Sequence, residues 1–493
     1  MLTFIIGLFI LILGGFLYGH YAESIFKPDD RETPATTSYD GIDFVAHSKR
    51  KNFLSQLLNL SGLGPILGAI QGILFGPLAL LTIPFGSVLV GAIHDYFSGM
   101  IAMRHNGAQM PRLIKKYLGG TLHTCYHLLM MVLLLLLAAL FIYTPGEIVV
   151  GDILKQDTSS SNPTIWVVYG LFFLYYLVAT FFPISEITAG VTPIFSGLVG
   201  LAALGLFFGV LVNSDFIHNV DFKNLSEQNL SGSPWIPIFF VTLSSGILSS
   251  FHGTQASLVS RSVSSEKEGK VTFFNTMLAE GFIAMIWAAA AMIVMNANPS
   301  QTVQAAEVIP MINSISQYFL GKGGAIILLI SVVVLPLTSA DSALKSLRLI
   351  LAERFNIDQV PKVKRALLSV LIFLPTALVI YFTKINLDGF PVLWRSFNFF
   401  NLLVATFALT MISVYLFIHK KNGWVSLLPA MFYIFILTSF ITHDSLGFSV
   451  PLLGRAGYTY SYLIASLFTI SYAYFTLRHA RKFNLDLKNH NLF

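Results

Sequence analysis

Residues 59–76 read NLSGLGPILGAIQGILFG. The run is apolar enough for a bilayer span, yet it is a poor helix. Gly62, Gly64, Gly68, Gly72 and Gly76 punctuate it, and Pro65 sits inside it. Each Gly costs about 1 kcal/mol against Ala in a helix interior, and Pro about 3. Residues 242–257, TLSSGILSSFHGTQAS, are damaged in another way: dense in Ser and Thr, with Gly246, Gly253 and His252. Broken backbone at membrane depth survives only where protein or a water-filled cavity satisfies it. For either run alone, close helix packing through small residues is the plain alternative.

The rest of the chain sets the context. Of its 493 residues, 55% are hydrophobic and 11% charged, against roughly 25% charged in soluble proteins. The mean hydropathy is +0.72. These values exclude a soluble enzyme, a secreted disulfide scaffold and a disordered regulator. One cysteine, Cys125, excludes internal disulfides and cysteine-based zinc sites. Apolar runs of about 20 residues, the length of a bilayer span, recur throughout. Thirteen are expected, at 2–19, 53–76, 78–102, 121–143, 164–182, 188–212, 236–260, 272–295, 323–350, 366–382, 393–418, 423–441 and 457–477. The first lacks a basic leader and a small-residue cleavage site, and reads as a retained helix.

Charge orients the spans. With the N-terminus outside, 24 of the 30 Lys and Arg fall in inward loops or the tail. They include Lys49–Lys51, Lys115, Lys116, Lys362, Lys364 and Arg365. Positive charge collects in cytoplasmic loops, so an odd number of spans, N-terminus out and C-terminus in, is expected in a bacterial cytoplasmic membrane. The net charge of +6 is then explained by an anionic inner leaflet, without nucleic acid.

The two damaged runs occupy matching places. If 53–76 is core helix one, 236–260 is core helix six and 393–418 core helix ten. Five spans are followed by five more of opposite orientation. Interrupted helices in corresponding places of inverted halves point to a transporter's substrate site. The expected fold is therefore an all-α polytopic membrane protein with a leucine-transporter-like 5+5 inverted repeat. Residues 1–52 would form an extra helix and a cytoplasmic loop, 53–212 the first repeat, and 213–235 an extracellular connector. Residues 236–418 would form the second repeat, and 419–493 two further helices and a cytoplasmic tail.

Ionisable residues inside spans are functional by default. Asp95, beside His94, Glu280, and the stretch Thr338, Ser339, Asp341 and Ser342 qualify. In the expected fold, hydroxyls of core helix eight and carbonyls of broken helix one hold sodium. Thr338 and Ser339 could thus line a cation site near Gly62–Pro65, with Asp341 as a proton carrier. Lys345, four residues on, could simply pair with Asp341. His94 and Asp95 point about 100° apart on a helix and read as poor joint ligands. His123 and His127 have helix-ligand spacing but read as interfacial. The substrate contacts expected at the two breaks are Ser61, Gly62, Gly64 and Pro65 on one side. Gly246, Ser249, Ser250, His252 and Gln255 lie on the other, with free N–H groups at both half-helix N-termini. Glu280 reads equally as a structural anchor. No P-loop, nucleophile elbow, HExxH or dinucleotide fingerprint occurs. No cofactor or metal is expected beyond coupling H+ or Na+, and no enzyme.

Several stretches resemble the carbon starvation protein A (CstA) family, in its compact branch. They are PDDRETPATTSYDGIDFV (28–45), SGLGPILG (61–68), GAIHDYFSGMIAMRHNG (91–107), SSFHGTQASLVSRSVSSEKEG (249–269), GFIAMIWAAAA (281–291), LPLTSADSALKSLRLILAERF (335–355) and WRSFNFFNLLVATFALTMISVYL (394–416). The resemblance implies uptake of small carbon sources, peptides or pyruvate, during starvation. It further implies proton coupling and membership of the amino acid–polyamine–organocation superfamily. The expected function is a secondary active importer of small carboxylate-bearing molecules. A membrane sensor that signals through partner contacts is the alternative.

Overall fold

The computed structural model describes residues 1–40, 44–60, 62–181, 184–297, 308–355, 357–358, 361–443 and 458–489. Among these residues the chain is all helical apart from one isolated bridge, His47 with Val263. Ten helices are long and apolar enough to cross a membrane, by length and composition. They are Leu2–Phe26, Ala79–Arg104, Gly120–Ile153, Pro163–Thr180, Trp235–Val259, Glu266–Ala297, Val308–Ala352, Lys362–Ile385, Gly389–Ile418 and Trp424–Thr442. Three further expected spans correspond to the interrupted pair Lys49–Leu60 and Leu63–Gly72, to Ile184–Val212 and to Tyr458–Asn489.

The helices sort by what they face. On Lys362–Ile385, Leu367, Leu371, Leu374 and Leu378 recur on one face and are exposed, as a lipid-facing stripe requires. Leu63–Gly72 and Glu266–Ala297 lie at the centre. Pro65 to Gly72 are all buried, and Ala288–Ala291 are fully inaccessible. Lipid is as apolar as leucine, so burial alone does not hold helices together here. Close approach through small residues does.

Two backbone breaks set boundaries here. Within Val308–Arg354, Gly321 is non-helical (φ 65°, ψ 178°) and separates a preceding helix from the one expected at 323–350; only glycine takes that φ without strain. The span expected at 53–76 is two helices, because Gly62 is extended between them.

One end of the molecule is basic and cross-linked. Arg104, closing its helix, donates Nε to Glu266 Oε1 and Nη2 to Oε2, both at 2.8 Å. Glu266 is 1% exposed and also accepts the Asp29 backbone N–H at 3.1 Å. The guanidinium lies over the Phe26 ring and donates to Lys27 O. Arg104 thus links Glu266 to the end of the first helix, beside the Glu23–Lys270 pair.

Candidate functional site

The two damaged runs meet. In the first, Gly62 is extended (φ −86°, ψ −150°) and a new helix starts at Leu63. Pro65 falls in its first turn, where the missing N–H has no intrahelical partner to lose. In the second, Phe240–Leu243 gives way to a turn at Ser244–Gly246. Ile247 and Ser249 leave helical geometry before Ser250–Val259 resumes it. Ser245 Oγ donates to Gly64 O at 3.2 Å. A Cβ at Gly64 would lie 2.9 Å from Ser245 O, and one at Gly68 2.8 Å from Ser245 Oγ. The glycines are there because the other break occupies the space.

The second half-helix corrects one expectation: its N-terminus is not free. The Ser250 N–H donates to Asn401 Oδ1 at 3.0 Å, and the Phe251 N–H to Ser249 Oγ at 3.3 Å. Ser249 Oγ and Ser250 Oγ also donate to Asn401 Oδ1, at 3.1 and 2.9 Å. Asn401 Nδ2 returns a bond to Leu248 O at 3.3 Å. Asn398, one turn earlier, accepts from Ser244 Oγ at 3.3 Å. Gly389–Ile418 therefore holds the break open with two asparagines that sequence reading passed over. Their signal was present: two amides three residues apart in an otherwise apolar span. By contrast, no side chain caps the helix that starts after Gly62.

Behind the breaks lies a buried ionisable cluster drawn from three helices. His94 Nδ1 contacts Asp95 Oδ1 at 2.8 Å. His252 Nδ1 lies 3.4 Å from Asp95 Oδ2 and 3.6 Å from Glu280 Oε2. All four side chains are 0–4% exposed. Adjacent His94 and Asp95 thus bond each other; the expectation that they are poor joint ligands concerned a shared metal, which this contact does not test. A Cβ on Gly253 would lie 2.9 Å from the His94 ring, so a glycine admits the histidine. Both Glu280 oxygens, Asp95 Oδ2 and His94 Nε2 are buried without a hydrogen-bond partner among the described residues. Buried polar atoms without partners mark strain, chemistry or an unfilled role.

A cavity of about 30 Å³ joins these parts. Gly62, Gly64, Pro65, Ser245, Ser249, His252, Glu280 and Ser339 line it, with Phe141, Phe251 and Phe397 closing it. That is room for about one or two waters, too little for a substrate in this conformation.

The expected ion-coupling set divides. Ser339 lines the cavity, with its hydroxyl and that of Thr338 both donating to Leu335 O. Asp341 instead pairs with Lys345 Nζ at 2.5 Å, and Ser342 is exposed and bonds Thr338 O. Residues 339 and 341 point about 200° apart on a helix, so one helix cannot present both to the cavity. Asp95 and Glu280 lie with His252. Gln255 is half-buried on the His252 helix and is not among the cavity-lining residues. Gly246 packs against Pro65 and Ala284. Ser61 lies outside the described residues. His123 and His127 stand elsewhere, rings 4.3 Å apart, in a 220 Å³ cavity with Arg354. Among the described residues, no group of three or more His, Cys, Asp or Glu is arranged to hold a metal ion.

Fold and site together define a polytopic helical membrane protein of the leucine-transporter-like class. Solved structures share the fold. MhsT in complex with L-phenylalanine gives a TM-score of 0.55 at 14% identity, covering 87% of this chain and 99% of that one. A mutant of the Eremococcus coleocola manganese transporter gives 0.52 at 12% identity, covering 90% and 96%. At such identities the likeness concerns the fold alone.

The chain belongs to the carbon starvation protein CstA family, whose model matches residues 1–173 and 145–323. An uncharacterized membrane protein of Haemophilus influenzae is 34% identical over 331 residues, 58% of this chain and 89% of that one. The peptide transporter CstA of Campylobacter jejuni is 31% identical over 145 residues, 28% of this chain and 21% of that one. The pyruvate/proton symporter BtsT of Escherichia coli is 31% identical over 131 residues, 25% and 18%. The two relatives named as transporters are thus matched over about a fifth of their own length.

Proposed function

We propose that the chain is a proton-coupled importer of small carboxylate-bearing carbon sources, pyruvate or a short peptide, bound where the two breaks meet. The observation that carries this reading is the small cavity lined by both breaks and by His252 and Glu280, with Asp95 beside His252. Support comes from the names of the CstA-family relatives.

The coupling follows from electrostatics. A substrate carboxylate would bind at the uncapped helix start after Gly62, where N–H groups and the helix dipole favour an anion. Glu280 and His252 line the same cavity, and like charges at that range repel strongly in a low dielectric. A proton taken up by the cluster removes one negative charge and lets the anion in. By linkage, each then tightens the binding of the other. The cavity must widen to admit any substrate, so the breaks separate during the cycle, as rocking of one bundle against the other provides.

Sodium has one foothold. The Ser339 oxygen faces the cavity near Gly62 and keeps lone pairs free, since it donates to Leu335 O. Labelled pyruvate and dialanine uptake into proteoliposomes, under a proton or a sodium gradient applied separately, distinguishes the two ions. Accumulation against a gradient separates a carrier from a sensor, which only binds. Glu280→Gln keeps the shape and removes the charge. It is expected to cut proton-driven accumulation at least tenfold while the protein stays folded. Unchanged proton-driven uptake in this variant would overturn the coupling assignment.

A further inference from the structure

Two apolar grooves run down the outside of the molecule, away from the cavity at the breaks. The larger, 680 Å³, lies between Leu2–Phe26, Ala79–Arg104 and Trp424–Thr442. The smaller, 370 Å³, lies between the first two of these helices. The grooves share Tyr18, Tyr21, Phe85 and Leu89, so they join side by side. Each of these two helices carries a one-turn π-helical stretch beside them, Ile10–Gly14 and Ser87–Gly91. Such bulges frequently mark functional sites. A void among apolar side chains forfeits dispersion contacts, so a fitted apolar chain gains what bulk packing leaves.

One end of the larger groove is polar. Tyr21, Asn422 and Trp424 line it, with Asn422 Nδ2 donating to the Tyr21 hydroxyl at 2.8 Å. Tyr and Trp of this kind gather at the headgroup level of membranes. Charge there is unbalanced. Glu266 is taken by Arg104, Asp29 by Arg31, Asp30 by Lys267 and Glu23 by Lys270. Lys27, Lys420 and Lys421 have no carboxylate partner among the described residues, while the acids without a basic partner in these segments are Glu32, exposed, and Glu268, which accepts from Ser264. Lys27 and Lys420 are exposed at turns with positive φ, and Lys421 Nζ donates to Phe26 O. Burial, with Arg104 and Lys27 beside it, pulls the Lys421 ammonium down to about 8. Lys420 and Lys421 immediately precede Asn422, which lines this end of the larger groove.

We propose that the paired grooves bind one anionic diacyl phospholipid of the membrane, a chain in each groove and the phosphate at Lys27 and Lys420. Basic pockets between membrane helices bind such headgroups. The floor of the larger groove includes Ile247, a residue of the second break. Gly86 and Gly91 of Ala79–Arg104 pack on Ile247 with no room for a Cβ. The lipid chain therefore lies against the helix and the break residue that must shift when the cavity opens. Lipid occupancy is coupled to the site without touching it.

The test is native mass spectrometry of the purified full chain in mild detergent, titrated with phosphatidylglycerol or with phosphatidylcholine of the same chains. The wild type should bind phosphatidylglycerol about tenfold or more tightly than phosphatidylcholine. The double variant Lys27→Glu/Lys420→Glu, altered only at exposed positions, should lose that preference and keep its unfolding temperature. Leu89→Trp, which fills both grooves, should weaken both lipids. If Leu89→Trp fails to fold, the lysine pair carries the test alone. Equal binding of the two lipids by the wild type would overturn the proposal and leave only bulk lipid. So would a preference that survives the double reversal. A lipid-independent dimer seated on this face would overturn it as well.

Discussion

Asn401 concentrates more of the site's order than any residue singled out from sequence. Its amide makes four hydrogen bonds to Leu248, Ser249 and Ser250. Interhelical hydrogen bonds inside a membrane average roughly 0.6 kcal/mol, so four on one segment argue for a loss of about 2 kcal/mol in Asn401→Ala. Asn398→Ala removes a single bond to Ser244 and is expected to cost less than about 1 kcal/mol. Thermal unfolding in detergent compares the two directly, and equal losses would refute the capping role. The residue was hard to find from sequence because its partners lie about 150 positions away. The carboxylates raise the same difficulty. Asp95 and Glu280 are legible singly as costly residues in apolar runs. That both converge on His252 depends on three helices packing together, which no local pattern encodes.

At the scale of elements, local chemistry was informative. Gly, Pro and Ser disfavour helix through backbone entropy, a missing donor and competing hydroxyls. Both breaks were therefore visible in residues 59–76 and 242–257. Their contact makes a sharp prediction. Gly64→Ala sets a Cβ 2.9 Å from the Ser245 carbonyl oxygen, a backbone atom that cannot swing aside. Overpacking of this kind costs about 1–3 kcal/mol. A Cβ on Gly62 meets nothing within 4 Å, and its φ of −86° suits any residue. Gly62→Ala is thus expected to stay within about 0.5 kcal/mol of wild type. Unfolding midpoints that rank the two the other way would mean the breaks do not touch. The stretch 338–342 divides for a helical reason, and Asp341 takes the alternative partner expected for it, Lys345. Polar residues close in sequence read as one cluster, while 100° per residue sends Ser339 to the cavity and Asp341 to Lys345.

At the scale of the whole molecule, the Arg104–Glu266 pair joins two other elements beside the end of the first helix, which is also held by Glu23–Lys270, by Lys421 on Phe26 O and by Asn219 at its start. Removing one partner of a buried pair strands the other and costs about 3–5 kcal/mol, and Arg104 is 11% exposed. Arg104→Ala should therefore destabilise the protein by about 3 kcal/mol. Arg31→Ala breaks an exposed pair with Asp29 and a longer, 3.6 Å contact with Glu266, and should cost about 1 kcal/mol. A small loss in Arg104→Ala would show that the buried pair adds little to stability. The multi-pass helical architecture was legible from composition and spacing, because a bilayer dictates length and polarity along the chain. The tie between residues 29, 104 and 266 was not, since it joins charges that the orientation rule only counts. The central claim is that both breaks and the buried cluster move a small carboxylate together with a proton. The direct measurement is labelled pyruvate uptake into proteoliposomes, with the exterior acidified and sodium absent. Accumulation above equilibrium in the wild type, lost in Glu280→Gln, is the predicted result. Accumulation that needs sodium and ignores the proton gradient, or no accumulation of pyruvate or dialanine under either gradient, would contradict it.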